Sequence, residues 1–149
     1  MWLVLASVAE ASSLTRIPEL SELRDRSHAV VAGVVLDVAT ERVSYGLLTS
    51  YTVAVDRTLA GAGSDVVTVR LPGGREGDLV QSFSDVPRWH AGDHVIVFVP
   101  REGGRQSLAG VFTVDGDRVI DPLERWAEVP SVDEVEALVA AEVRVEGPR

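Results

Sequence analysis

The chain contains no cysteine, no lysine and no asparagine. Without Cys there is no disulfide framework, no thiolate nucleophile and no Cys-based zinc or iron–sulfur site. Without Lys, all 14 basic residues are Arg, set against 23 acidic ones for a net charge of −9. A net-acidic surface repels phosphate backbones, so nucleic acid is not expected as a partner. Aromatic residues are few, only eight in total, and several must serve the core, which leaves too few for a base-stacking groove or a carbohydrate cleft. No apolar run approaches the roughly 20 residues of a membrane-spanning helix. The missing Lys and Asn beside abundant Val, Ala, Gly and Arg read as genomic composition bias rather than as selection for an activity.

What is present suits one globular domain: 149 residues, 46% hydrophobic and 25% charged. Twenty-seven residues are Val, whose β-branched side chain favours strands, and Gly and Pro punctuate the Val runs. The expected class is mostly β. Trp2 to Ala11 forms a short apolar run closed by Ala9-x-Ala11, the small-residue pattern that precedes signal-peptidase cleavage. No Arg precedes Arg16, so residues 1–11 are read as the remnant of a signal peptide, with one domain over 12–149 and a periplasmic or secreted location. The competing reading is an N-terminal strand or helix packed on the domain of a cytoplasmic protein.

Pro18, Leu20 and Leu23 among charged residues predict a short amphipathic helix over 16–27. Ala29 to Val38 is a Val-rich strand interrupted by Gly33, where a strand can coil or bulge. After a turn at Ser44–Gly46, a second strand alternates through Tyr51, Val53 and Val55 toward Leu59. Val66–Leu71 is a third, stopped by Pro72-Gly73-Gly74, and Gly77–Phe83 a further short one. His94–Val99 is apolar on both faces and is expected to be the most buried strand. Leu108–Val114 is the fifth main strand, and Asp115-Gly116-Asp117 turns it into Val119-Ile120. Ser131 and Glu134 have capping-box spacing and open a C-terminal helix over 131–145, with Val132, Val135, Leu138 and Val139 on its apolar face.

Five main strands, the first long and Gly-kinked, with a helix at each end, predict a small five-stranded Greek-key barrel of the OB type. The segments SHAVVAGVVLDV, SYTVAVDRTLAGAGSDVVTVRLPGG and PRWHAGDHVIVFV resemble a family of uncharacterised exported bacterial proteins. The matching stretches are Ser27–Val35, Tyr51–Val55, Leu59–Gly61, Leu71–Gly74 and Gly92–Val99, in order, within residues 20–114. The layout is more distantly similar to the netrin-like module of tissue inhibitors of metalloproteinases. That resemblance implies a metalloprotease-associated or inhibitory role. The module's inhibitory edge depends on an N-terminal Cys, which this chain lacks, and Ala60 stands where its turn carries Lys.

His90, Asp93 and His94 form the most metal-like cluster, with His28 as a third imidazole if the fold brings it near. Ala91-Gly92 reads as a turn, so the rings need not converge, and a small metal-dependent enzyme at these three histidines is the weakest alternative. Ser82, Ser84 and Asp85 lack the strand–turn–helix elbow of a serine nucleophile. The Pro72–Gly77 stretch is Gly-rich but opens no helix, so it does not cradle phosphate. The expectation is therefore a non-enzymatic exported binding or accessory module without a cofactor or metal, engaging a protein partner through its loops. The candidate contacts are Pro72, Gly73, Gly74 and Arg75 in one loop and Arg88, Trp89 and His90 in the other. For Trp89 the competing reading is a buried lid over one end of the barrel.

Overall fold

Alternating Val residues build long antiparallel strands in this computed structural model, which describes residues 20–124 and 130–146. The expected signal remnant and the start of the N-terminal helix lie outside those residues. A short helix α1 (Leu20–Arg26) leads into β1 (Ser27–Val43) and β2 (Gly46–Gly61), joined by a two-residue turn. Then follow β3 (Val66–Pro72), the small strands β4 (Gly74–Glu76) and β5 (Leu79–Gln81), and β6 (His94–Pro100). The chain ends with β7 (Val111–Asp115), β8 (Arg118–Ile120) and helix α2 (Val132–Glu146). Among the described residues no helix is long and apolar enough to cross a membrane.

The main sheet is wholly antiparallel in the order β3-β2-β1-β6-β7-β8, and among the described residues β4 pairs only with β5. It is mostly β with a helix at each end, as expected, but the sheet has six strands and is open, with β3 and β8 as edges. Three register shifts in β1, at Val30/Val31, Ala32/Gly33 and Val35/Asp37, bend it. At Gly33 the backbone of β2 passes so close that a Cβ would run into the Ala54 carbonyl and come within 2.9 Å of the Val53 side chain.

The two-residue period of the strands separates two cores. Val31, Val35, Tyr51, Val53, Val69, Leu71, Val95, Val97 and Val111 pack on one face together with Trp89. The other face, with Val30, Ile96, Phe98 and Phe112, is covered by Leu20 and Leu23 of α1 and Val135 and Val139 of α2. Because β6 lies between both cores, Val95 to Phe98 are all buried, as its two-sided apolar pattern predicted. Val69 and Leu71 of one edge strand share a core with Val111 of β7, so the open sheet is curled around its inner face.

Other expectations need correction. Leu108–Gly110 is a turn of 3-10 helix rather than strand, because the Ser107 hydroxyl accepts the Ala109 N–H at 3.2 Å and caps it. The Pro72–Gly77 stretch, expected as a loop, contains strand β4 (Gly74–Glu76). Leu47 N–H donates to Gln81 Oε1 at 2.8 Å and Thr49 Oγ1 to the Gly73 carbonyl at 2.6 Å, which folds the β4–β5 hairpin onto the end of β1–β2. In α2 the capping box forms as its spacing required, with Ser131 N–H on Glu134 Oε1 at 2.9 Å and Glu134 N–H on Ser131 Oγ at 3.1 Å. Leu138, expected on the apolar face, is 56% exposed because the buried stripe runs through Val135 and Val139.

Candidate functional site

The loop before β6 carries the first group of candidates. It is fastened to β1 by Val35 N–H on the Asp93 carbonyl at 2.9 Å and Gly92 N–H on the Val35 carbonyl at 2.8 Å. His90 N–H donates to Asp93 Oδ2 at 2.8 Å, so Asp93 is occupied in shaping the turn. Trp89, a candidate contact with a buried lid as the competing reading, is only 3% exposed, so it is buried as that second reading expects. Its ring meets Tyr51 edge-on at a centroid distance of 5.1 Å, and its Nε1–H donates to Thr113 Oγ1 at 2.9 Å. A buried indole needs such a partner, and here it plugs the inner core instead of meeting solvent. Burial pushes the Tyr51 phenol up, against the opposing pull of a hydrogen bond with the Trp89 backbone and of the Arg88 charge. Arg88 and His90 remain exposed.

In the other candidate group Arg75 is exposed, Pro72 and Gly74 are half-buried and Gly73 is buried. The two groups are anchored separately, one on the β1–β2 hairpin end and the other on Val35.

The histidines do not form one centre. Ser27 pairs with Pro100 and Val34 with His94, so His28 and His94 stand at opposite ends of the β1–β6 ladder. Six residues of strand separate them, about 20 Å at the usual rise, whereas ligand nitrogens must lie about 2 Å from one ion. His90 sits in the loop with its Nδ1 3.8 Å from Asp93 Oδ2. Among the described residues no group of three His, Asp or Glu could hold a metal ion.

A concavity among the described residues lies elsewhere. A groove of about 730 Å³ runs between the outer surface of β2–β3 and the connection from β6 to β7. Leu48 and Pro72 are cross-strand partners, and Thr68 and Arg70 follow Pro72 at the strand period, so these four share one surface. Tyr45, at the β1–β2 turn and 73% exposed, stands at one end. Pro100, Gly104, Arg105 and Gln106 form the opposite bank. That bank is braced: Gln106 Nε2 donates to the Phe98 carbonyl at 3.1 Å, Gly104 N–H to the Arg101 carbonyl at 2.8 Å, and Arg101 Nη2 to the Asp25 carbonyl at 2.8 Å. Among the described residues that line the groove the charged ones are both Arg and none is acidic, in a chain of net charge −9.

Of the candidate contacts only Pro72 lies in this groove. Tyr45, Arg70 and Arg105 were missed because each sits in a segment with its own plain explanation, a turn, a strand and a loop. The one available signal was that Thr68, Arg70 and Pro72 alternate against the buried Val69 and Leu71. Comparison with known protein families finds no family model that matches the chain, and comparison with curated proteins finds no match.

Proposed function

We propose that the protein is a non-enzymatic binding module of OB-like topology that takes a protein partner in the groove on β2–β3. The observation carrying this reading is the groove itself, whose volume of about 730 Å³ falls in the range of ligand sites. Its position supports the same reading. In OB folds the ligand lies on the face of strands two and three, between the loop joining the first two strands and the loop joining the last two. Here β1, β2 and β3 form a meander, β6 returns antiparallel beside β1, and β7 follows it, so the groove has the corresponding neighbours. A curled sheet sharing one inner core from β3 to β7 is consistent with a barrel left open at that seam. Export, inferred from the apolar run that ends at Ala11, makes an envelope or secreted protein the natural partner.

The test compares capture of envelope proteins by the full chain, by the variant Arg70→Glu/Arg105→Glu, and by Arg75→Glu/Arg88→Glu. Loss of a captured partner in the groove variant alone is expected. Loss in the loop variant with retention in the groove variant would refute the assignment.

A further inference from the structure

Resting on that reading of the groove, we infer that its occupant is an acidic peptide segment in extended conformation, added to the sheet as a strand along the free edge of β3. β3 is an edge strand, and among the described residues no strand pairs with its outer side. The direction of its backbone groups follows from the ladder. Gly73 N–H donates to the Leu47 carbonyl and Val55 N–H to the Asp65 carbonyl, at the two ends of a continuous β2–β3 register. In an antiparallel pair, hydrogen-bonded and non-hydrogen-bonded positions alternate. Asp65, Val67, Val69, Leu71 and Gly73 therefore turn their backbone groups toward β2, while Val66, Thr68 and Arg70 turn theirs outward.

The Val66 carbonyl accepts the Ser64 hydroxyl at 3.1 Å, which leaves Thr68 and Arg70 to offer their outward groups, and both also supply side chains to the groove. An incoming strand would thus find main-chain partners and side-chain contacts at the same positions, which is the geometry of strand addition. Pro72 lacks an N–H and ends the available donors at that side.

Charge decides the chemistry of the occupant. Arg70 on one bank and Arg105 on the other are both exposed, and among the described residues no Asp or Glu lines the space between them. Guanidinium groups on either side of the groove match carboxylates carried by the added strand, and Arg binds carboxylate in a two-pronged geometry. A segment rich in Lys or Arg would be repelled.

The test uses the full chain and a fluorescein-labelled decapeptide of alternating Glu and Thr, followed by fluorescence anisotropy. Three comparison ligands are its Lys–Thr counterpart, an acidic version N-methylated at every second residue, and polygalacturonate. Saturable binding of the Glu–Thr peptide is expected, with no binding of the Lys–Thr peptide. N-methylation, Arg70→Glu or Arg105→Glu should each weaken binding about tenfold. Amide hydrogen exchange at Thr68 and Arg70 should slow on binding.

Equal binding of the N-methylated peptide would overturn strand addition while leaving the groove reading intact. Failure of the acidic peptide to bind, while capture of an envelope partner still depends on Arg70 and Arg105, would do the same. Preference for polygalacturonate would overturn a peptide occupant. Protection confined to residues away from the groove would overturn both proposals.

Discussion

Replacing Gly33 by Ala tests whether the curl of β1 depends on one missing side chain. Gly33 pairs with Val55 of β2 and Val95 of β6, next to a register shift, so it is enclosed on both sides by sheet. Its new methyl group would meet the Ala54 carbonyl, a backbone atom within a central ladder, and the Val53 side chain at 2.9 Å. A flexible side chain could rotate away, but the carbonyl moves only if β2 moves. Inserting a methyl into such packing costs about 1–3 kcal/mol, and the rigidity of the obstacle favours the upper part of that range. Reduced freedom of the unfolded chain returns about 0.4–1 kcal/mol, leaving a net loss of about 2 kcal/mol. For a domain of this size that lowers Tm by roughly 4–8 °C.

Gly77→Ala is the control. Its φ of +61° penalises a side chain, but no atom lies within 4 Å of the added Cβ, so only the backbone cost of about 1 kcal/mol applies. Urea unfolding followed by far-ultraviolet circular dichroism reads both, and the slope should not change if the fold is retained. The reasoning is refuted if Gly33→Ala is as stable as the parent, or costs no more than Gly77→Ala.

Two further substitutions probe the inner core. Trp89→Phe removes the hydrogen bond to Thr113 and part of the ring packed on Tyr51, and should cost about 2 kcal/mol in urea unfolding while leaving acidic-peptide binding unchanged. A loss of binding without loss of stability would instead make Trp89 a contact residue. Tyr51 should give stability an alkaline limb. Burial raises its folded-state value above the unfolded 10.0, so the folded state holds the proton more tightly. The contribution is complete below pH 10 and is lost as pH rises through the raised value. Tyr51→Phe should flatten the fall in urea midpoint above pH 10, and an unchanged slope there would count against the buried phenol.

The parts of the fold legible in the sequence were those fixed by short-range chemistry. Two-residue alternation located β2, β3 and β6, and the two-sided apolar pattern of Val95–Val99 identified the strand between two cores. Ser131 and Glu134 announced α2 because a capping box is complete within four residues. Features that depended on distant partners were not legible. β5 falls within the short strand expected over Gly77–Phe83, but its pairing with β4 and its docking through Gln81 and Thr49 to backbone groups in other elements leave no periodic signature. One local feature was also missed: the Ser107 hydroxyl caps a 3-10 turn at the start of the fifth main strand, against the apolar pattern around it.

The candidate site was less visible for a geometrical reason. Loop residues attract attention because they are expected to face solvent, yet the bond from the Trp89 indole to Thr113 turns the most conspicuous loop residue inward. The groove is lined by Tyr45, Arg70 and Arg105 from three separate segments, and β1, which carries the register shifts, stands between the β2–β3 pair and β6. On the reading that this bend sets its shape, the groove is a property of the curl and not of any one segment. It follows that the glycine in β1 and the arginines in the groove should be coupled. A Gly33→Ala protein that remains folded must displace β2 against β1, and β2 carries Leu48 and holds β3 in register. Peptide affinity in that variant should fall even though no groove residue has changed, whereas Gly77→Ala should leave it untouched. Equal affinity in the two folded variants would show that the groove is set by β2–β3 alone and that the bend in β1 plays no part in it.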